Sequence, residues 1–143
     1  MKTLQELMRR GFIFALQRTS AVAEAAQMME THNVGIVAVL DGERLIGVFS
    51  ERDVVRRVVN RGFDPLTTAV GDVMTKNIVV ASPDEDYQSA MRKMDHANIR
   101  HLPVVDGGRM VSMLSIRDLM RVDMERMTEE ILNLHEYIYQ VPH

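Results

Sequence analysis

The feature that most constrains this chain is an internal repeat. The segment Asn33–Arg56 returns without a gap, 65 residues later, as Asn98–Arg121, and nine of the 24 paired positions hold the same residue. Ordinary residue usage would give about one or two identities over such a length. Two copies, where a solenoid needs three or more, indicate two supersecondary units that pack against each other. We therefore expect a functional site in the cleft between the copies.

The composition is that of one globular domain. The chain has 143 residues, of which 46% are hydrophobic and 26% are charged, and it contains no cysteine. Disulfides, thiol nucleophiles and cysteine-based metal sites are therefore excluded. The net charge of −3 gives no electrostatic footprint for a nucleic acid partner. The apolar runs are too short for a membrane span and the first residues lack the apolar core of a signal peptide, so we expect a cytoplasmic protein with no membrane partner.

The two copies show the same order of hydrophobic patterns. Short apolar runs at 13–16 and 78–81 predict a first strand in each copy, and a helical pattern follows each run. Later in each copy an Asp-Gly pair separates two apolar runs, which is typical of a β-hairpin because glycine accepts the positive φ of a tight turn. The hairpin strands are expected at 34–40 with 45–49 and at 101–105 with 110–114. The predicted fold is therefore α/β (α+β), with two β-α-β-β-α repeats related by pseudo-twofold symmetry and with N-terminal and C-terminal helices.

The first helix of each copy is predicted from its apolar face and, in the second copy, also from its start. Ser82, Pro83 and Glu85 match a capping box with proline at the first helical position, so this helix is expected to begin there. A second helix is expected to follow Ser50 in one copy and Ser115 in the other. The residues expected on the buried faces of the first helices are Val22, Ala25, Ala26 and Met29, and Tyr87, Ala90, Met91 and Met94.

The chain divides into two repeats and an extension. We place the first repeat, with its N-terminal helix, at 1–65, the second repeat at 66–121 and a helical extension at 122–143. The linker between the copies, with Gly62 as a helix end and Pro65 opposing a helix, is too short to make them independent domains.

The extension carries a continuous apolar stripe on a helix predicted to run from about Ser115 to Gln140. The stripe has fewer than three heptads, which is short for an autonomous coiled coil. It is therefore expected to pack on its own module or on a second subunit, and a homodimer contact is favoured. Its residues, spaced by 4, 3, 4, 3 and 4, are Met120, Met124, Met127, Ile131, Leu134 and Ile138.

The sequence resembles a known family over roughly residues 4–121. Both copies hold a strand, Asp-Gly, a second strand and Ser-x-Arg-Asp, with Arg100-His101-Leu102-Pro103-Val104-Val105 before the second turn and Val73-Met74-Thr75 leading into the second copy. This pattern is similar to a tandem pair of cystathionine-β-synthase (CBS) domains, the Bateman module, as found in stand-alone CBS-pair proteins of bacteria and plant organelles. The resemblance implies a regulatory module for energy or redox sensing that binds an adenosine-containing ligand: AMP, ADP, ATP, NAD(H) or S-adenosylmethionine.

Two positions depart from the family pattern. The first copy has Ala38 where the family tends to have proline, and the second has Ser112 where a glycine is common. The aligned positions, Pro103 and Gly47, keep the family residue. The two binding sites are therefore expected to differ.

The paired Ser-x-x-Asp motifs are the main candidate site residues. Taken alone, such a motif is a capping box. A helix N-terminus also offers free N–H groups to a phosphate, and an aspartate can accept hydrogen bonds from both hydroxyls of a ribose. Arg52 and Arg117 oppose the helix dipole from the first turn, and a phosphate would compensate for this. The resemblance places Arg100 and His101 beside the ligand phosphate, whereas the first copy has Gly35 in the place of Arg100.

The resemblance also implies that each site combines residues of both copies. One adenine would lie near Phe12, Phe14 and Gly35, and would be faced by Ser115, Arg117, Asp118 and Arg100. The other would lie near Asn77, Val79 and Ile99, and would be faced by Ser50, Arg52 and Asp53.

Two other functions remain open at this stage. The chain could be a dimerisation scaffold with empty sites, although retention of serine, arginine and aspartate in both copies opposes this. It could instead be a nucleotide-hydrolysing enzyme with Asp53 or Asp118 as base, but no nucleophile elbow accompanies them and the five histidines show no metal-site spacing. We therefore expect no catalytic residue, no metal and no catalytic cofactor, and an unidentified regulated protein as partner.

Overall fold

The order of helices and strands follows the internal repeat. The computed structural model describes residues 2–140, apart from the side chains at positions 10 and 140. The first part of the chain contains α1 (Leu4–Leu7), a 3-10 turn (Met8–Arg10), β1 (Ala15–Gln17), α2 (Val22–His32), β2 (Ile36–Asp41), β3 (Arg44–Ser50) and α3 (Glu51–Asp53), which continues as a π-helix (Val54–Val59). The second part contains α4 (Val70–Val73), α5 (Tyr87–Ala97), β4 (His101–Asp106), β5 (Arg109–Ser115) and α6 (Ile116–Gln140).

The strands form a single five-stranded sheet in the order β1-β2-β3-β5-β4. Two antiparallel hairpins, β2-β3 and β4-β5, lie side by side and meet at Arg44 and Arg109. The Asp-Gly turns behave as predicted, since Gly42 and Gly107 have φ values of +65° and +60°. The predicted α+β fold with two related repeats is confirmed.

Each repeat has its own apolar core between its helices and its hairpin. Phe49 is fully buried in the first core, and Leu102 and Leu114 are fully buried in the second. The predicted helix faces are buried or partly buried with one exception: Ala26 is exposed, because α2 turns only Val22, Ala25 and Met29 fully inward.

Two short segments cross between the repeats and join them. In the first crossing segment (residues 11–14), Phe12 exchanges both backbone hydrogen bonds with Met113 of the second repeat, at 3.0 and 2.8 Å. In the second crossing segment (residues 74–77), Thr75 exchanges both with Val48 of the first repeat, at 2.8 and 3.0 Å. Each repeat is therefore bound by the backbone that leads into the other, and Phe12 and Thr75 occupy equivalent positions.

The predicted strand at 78–81 is wrong, and the strand at 13–16 is displaced. In the second repeat only Ala81 forms a bridge, to Val104. In the first, Ala38 donates a hydrogen bond to the Phe14 carbonyl at 2.8 Å, and β1 follows from Ala15. Pro103 takes the place of Ala38 in the second repeat. Because proline has no N–H, the second repeat has no counterpart of the hydrogen bond from Ala38 to Phe14, and the strand does not form.

The helix start predicted at residues 82–85 is also wrong. Helix α5 begins at Tyr87, and residues 83 and 84 form a turn in which the Ser82 hydroxyl contacts the Asp84 carboxylate. The Pro83 and Glu85 carbonyls accept hydrogen bonds from the amides of residues 5 and 4, both at 2.8 Å. The Tyr87 amide, which would donate to the Pro83 carbonyl in such a helix, donates to the Lys2 carbonyl at 3.1 Å instead.

Each crossing segment approaches its hairpin so closely that one of the two must have a glycine. In the first hairpin the glycine is Gly47 of the hairpin itself, and at the second hairpin it is Gly11 of the crossing segment. A Cβ on Gly47 would lie 2.7 Å from the Thr75 carbonyl oxygen, and one on Gly11 would lie 2.3 Å from that of Met113. The second repeat therefore tolerates Ser112, whose buried hydroxyl donates to the Met8 carbonyl at 3.1 Å, because its glycine is on the crossing segment.

Helix α6 confirms the predicted long C-terminal helix; residues 141–143 of the predicted extension lie outside the described residues. Leu119 and Val122 are buried in the second core, but every residue from 127 to 139 is exposed. The apolar stripe does not pack on its own module: Met124 is 63% and Ile131 is 66% exposed. Within residues 2–140 no helix combines the length and the apolarity that crossing a membrane requires.

We predict that Gly11→Ala destabilises the fold by about 1–3 kcal/mol, because the added methyl group overlaps the Met113 backbone oxygen. Gly35→Ala is the matched control, since its Cβ would meet only the flexible Glu51 carboxylate, at 3.4 Å. Urea unfolding of both variants measures the difference. Equal free energies of unfolding for the two would show that the close approach at Gly11 is not a constraint.

Candidate functional site

The two Ser-x-x-Asp motifs cap the helices that follow the hairpins. The Ser50 amide donates to Asp53 Oδ2 at 3.0 Å, and the Asp53 amide donates to Ser50 Oγ at 3.3 Å. Ser115 and Asp118 make the same pair of bonds at 2.9 and 3.1 Å. In both motifs the aspartate uses one oxygen for the cap, so the second oxygen decides what else the carboxylate can bind.

The second oxygen of Asp53 is already occupied. The Thr75 hydroxyl donates to Asp53 Oδ1 at 3.1 Å, and the Arg57 Nε lies 3.4 Å from the same atom. The residue is only 7% exposed. Thr75, which lies in the second crossing segment, thus donates a hydrogen bond to Asp53. The two residues are far apart in sequence.

Asp118 differs because Phe12 occupies the position equivalent to Thr75. A phenylalanine side chain has no donor, and among the described residues no group donates to Asp118 Oδ1. The residue is partly buried. Asp118 therefore has one oxygen with no protein donor among the described residues, whereas both oxygens of Asp53 have donors.

A row of aromatic rings crosses from the second repeat to the first beside Asp118. His101 contacts Phe12 edge to face at 6.0 Å, and Phe12 contacts Phe14 at 5.2 Å. His32, at the end of α2, stacks on Phe14 at 4.1 Å. The row brings together residues that the sequence placed at one adenine site and adds His32, which no sequence pattern singled out.

The start of α6 is more cationic than the start of α3. The Arg100 carbonyl accepts from the Ile116 amide at 2.8 Å, which ties Arg100 to the first turn of α6. The Gly35 carbonyl accepts from the Glu51 amide at 3.0 Å in the equivalent contact of the first repeat. The start of α3 therefore has Gly35 and Glu51 where the start of α6 has Arg100 and Ile116. The sequence analysis did not identify the Glu51 carboxylate as a feature of the site.

His101 lies between an acid and a base in this region. Burial lowers the pKa of His101, the Asp118 carboxylate works in the opposite direction, and the Arg100 guanidinium adds to the lowering. The balance favours the neutral imidazole near neutral pH. A phosphate bound beside it would favour the protonated form, because an anion stabilises a nearby cation.

The remaining predicted residues are dispersed. Val79 and Ile99 pack against the core of the second repeat, so their side chains serve that core. Asn77 is exposed, as are Arg52 and Arg117. The structure thus gathers Phe12, Phe14, His101, Ser115 and Asp118 into one region, and it does not gather the residues assigned to the Asp53 site equally well.

Other parts of the described chain offer less chemistry. No cluster of three or more histidine, aspartate or glutamate side chains suited to a metal ion occurs within residues 2–140. A groove of about 930 Å³ lies between the start of α5 and α6, and neither Asp53 nor Asp118 lines it. Its rim carries basic and acidic residues together, so it has no preference for either anionic or cationic ligands. These residues are Lys2, Asp86, Arg121 and Glu129.

Comparison with known proteins settles the family. The model of the CBS domain matches this chain twice, at residues 4–60 and 70–125. The chain belongs to the CBS-domain family. A mitochondrial CBS domain-containing protein of Arabidopsis thaliana, CBSX3, is 36% identical over 122 residues, which cover 82% of this chain. The match spans 59% of that relative's own length.

Solved CBS-domain structures share the fold over most of both chains. A protein with CBS domains from Burkholderia ambifaria has a TM-score of 0.78 at 27% identity, covering 87% of this chain and 95% of its own. The CBS domain protein PAE2072 from Pyrobaculum aerophilum was solved as a complex with AMP. It has a TM-score of 0.72 at 30% identity, and the match covers 82% of this chain and 89% of that protein.

We predict that the protein loses stability as the pH falls below about 6.5, because the unfolded chain then takes up a proton that the lowered pKa of partly buried His101 resists in the folded chain. His101→Gln should remove part of this pH dependence. Thermal unfolding of both proteins at about pH 7.5 and about pH 5.5 measures it. If both lose the same stability between these two conditions, His101 does not contribute.

Proposed function

We propose that this CBS pair is a regulatory module that binds an adenine nucleotide, with AMP as the leading candidate, in the cleft at the start of α6. The observation that carries the proposal is the unpartnered Oδ1 of Asp118 beside a cationic helix N-terminus. The AMP complex of the related Pyrobaculum protein supports the choice of ligand. ADP, ATP and NAD(H) contain the same adenosine and are the competing ligands.

Each part of the nucleotide has a matching group in this region. Asp118 accepts hydrogen bonds from the ribose hydroxyls while its other oxygen continues to cap α6. The free amides at the helix start, with Ser115, Arg117, Arg100 and His101, surround the phosphate. Phe12 and Phe14 hold the adenine, whereas Gly35, which the sequence assigned to the same adenine, contacts the start of α3.

The site at Asp53 is the weaker one in this proposal. Ser50, Arg52 and Asp53, with Asn77, Val79 and Ile99, would bind a second nucleotide. A ribose at Asp53 would have to compete with the Thr75 hydroxyl and the nearby Arg57. Glu51 adds a negative charge where a phosphate would approach. The first nucleotide therefore binds at Asp118.

Regulation follows from the position of the site between the repeats. Phe12 belongs to the crossing segment of the first repeat, and Asp118 belongs to the last helix of the second. A ligand that contacts both favours one relative arrangement of the repeats, and an unidentified partner protein responds to that arrangement. This role is non-catalytic and cytoplasmic, and it requires no metal.

A homodimer formed through α6 is the second part of the proposal. The exposed stripe, from Met120 to Ile138, is a contiguous apolar face of the kind that marks an interface. A scaffold that only dimerises remains the alternative function, and it differs from the sensor in having no ligand.

We predict that Asp118→Asn weakens AMP binding by about tenfold or more, since a lost hydrogen bond to a charged group is worth about 1.5–3 kcal/mol. The asparagine oxygen can still cap α6, but its amide group presents donors to the ribose. Asp53→Asn is the matched control and should change the affinity by less than about twofold.

Calorimetric titration of the parent and both variants tests this prediction. A parent that binds no adenine nucleotide would remove the sensor hypothesis and leave the scaffold. A larger loss in Asp53→Asn than in Asp118→Asn would show that the stronger site is the other one.

We also predict that truncation after Met127 lowers the dimer mass to that of a monomer and leaves the core folded. Val122 is buried in the second core, so the cut must fall beyond it, whereas residues 127–139 are all exposed. Light scattering over a dilution series measures the mass, and circular dichroism checks the fold. An unchanged dimer after truncation would rule out a role for the end of α6.

A further inference from the structure

A stacked pair of rings lies at the adenine end of the proposed site. The imidazole of His32 lies on the Phe14 ring, with 4.1 Å between the ring centroids and 16° between the ring planes. The other two contacts of the aromatic row are longer, at 5.2 and 6.0 Å, and their rings are tilted or edge to face. Within the row, the pair of His32 and Phe14 is therefore the one with the parallel geometry in which a nucleobase stacks on a side chain.

The pair leaves no room for a base between its rings. Carbon atoms in contact are about 3.5–4.0 Å apart, so a purine between two rings would need about 7–8 Å between their planes. The centroids of His32 and Phe14 are only 4.1 Å apart. An adenine can therefore stack on this face of Phe14 only after the imidazole has left it.

The imidazole is the least restrained ring of the row. The backbone of Phe12 is fixed by two hydrogen bonds to Met113, and its ring contacts both Phe14 and His101. His32 is exposed, and within residues 2–140 no hydrogen bond or ion pair holds its imidazole. A ligand that needs one ring of the row to move therefore displaces His32 at the lowest cost.

The imidazole can leave Phe14 without a change in the backbone. His32 is the last residue of α2, and Asn33, with a left-handed φ of +53°, ends the helix. The Val34 amide donates to the Met29 carbonyl at 3.0 Å, which fixes this turn. Because exposed side chains change rotamer readily, the imidazole can swing away while α2 stays in place.

The second repeat has no such pair of rings. At the spacing of 65 residues, Ala97 takes the place of His32 and Val79 takes the place of Phe14. Helix α5 nevertheless ends on a left-handed asparagine just as α2 does. An alanine therefore fits this helix end, and the fold does not require the histidine.

We infer that His32 is an internal competitor of the nucleobase: its imidazole covers the face of Phe14 on which adenine stacks, and it leaves when a nucleotide binds. The inference rests on the proposed nucleotide site and names a residue that sets the affinity of that site. The imidazole competes for the stacking position alone. It therefore lowers the affinity for ligands that carry a base and leaves the affinity for a ribose phosphate without a base unchanged.

An internal competitor adjusts the nucleotide concentration to which the module responds. The apparent dissociation constant equals the intrinsic one divided by the fraction of molecules whose site is open. Covering Phe14 reduces this fraction. The module would then respond at a higher nucleotide concentration than the ribose and phosphate contacts alone would give.

His32→Ala tests the inference, because it gives the first repeat the residue that the second repeat has at Ala97. The variant should bind AMP about threefold to tenfold more tightly than the parent, which is the range expected for the loss of one aromatic pair. Its affinity for ribose 5-phosphate should not change. His96→Ala, at an exposed histidine in the last turn of α5, is the matched control and should bind both ligands as the parent does. Calorimetric titration measures the affinities.

Proton NMR of the imidazole follows the stack directly. The ring current of Phe14 shifts the ring protons of His32 upfield, and their signals are identified by their absence from the spectrum of His32→Ala. Addition of AMP to the parent should move these signals downfield, towards those of a histidine in water. Signals that stay in place or move further upfield as AMP binds would mean that the imidazole remains stacked, which contradicts displacement.

The outcomes of the titration separate this inference from the proposed function. Weaker binding of AMP by His32→Ala would show that His32 holds the base, and would overturn the inference while retaining the nucleotide site. Equal affinities of the variant and the parent would overturn it in the same way. A parent that binds no adenine nucleotide would remove the proposed function and the inference together.

Discussion

The backbone pairing of each crossing segment with the opposite hairpin is the interaction on which the rest of the structure depends. Phe12 binds Met113 and Thr75 binds Val48 through two hydrogen bonds each. These pairs join the two repeats by backbone hydrogen bonds, in addition to the covalent linker between them. They also place one side chain of each crossing segment beside the Ser-x-x-Asp motif of the opposite repeat.

That placement makes two copies of one motif chemically unequal. Thr75 donates to Asp53, while Phe12 at the equivalent position cannot donate to Asp118. Gly35 and Glu51 stand where Arg100 and Ile116 stand in the second repeat. The carboxylate at the start of α3 therefore already has protein donors, and this start is less cationic. The start of α6 has an arginine and a carboxylate oxygen without a donor among the described residues. In our proposal the Asp118 site is therefore the better suited of the two to a phosphorylated ribose.

Helix α6 links the Asp118 site to an exposed part of the molecule. Helix α6 runs from Asp118 through the second core to its exposed end at residues 127–139. A nucleotide at Asp118 would bind a helix whose other end is exposed and apolar over residues 127–139. Ligand binding and assembly would then be coupled through one rigid element, which is the simplest physical route for a sensor of this size.

The sequence by itself determined the features that depend on neighbouring residues. The duplication, the Asp-Gly hairpins, the caps at Ser50 and Ser115 and the long helix to Gln140 all follow from local patterns, and the structure has them. Features that depend on distant residues were decided only by the tertiary structure. Residues 78–81 lack the predicted strand because Pro103 has no N–H, and α5 starts late because the Tyr87 amide donates to the Lys2 carbonyl of the N-terminal segment. For the same reason no local pattern could show that Thr75 occupies Asp53 and that Phe12 leaves Asp118 free.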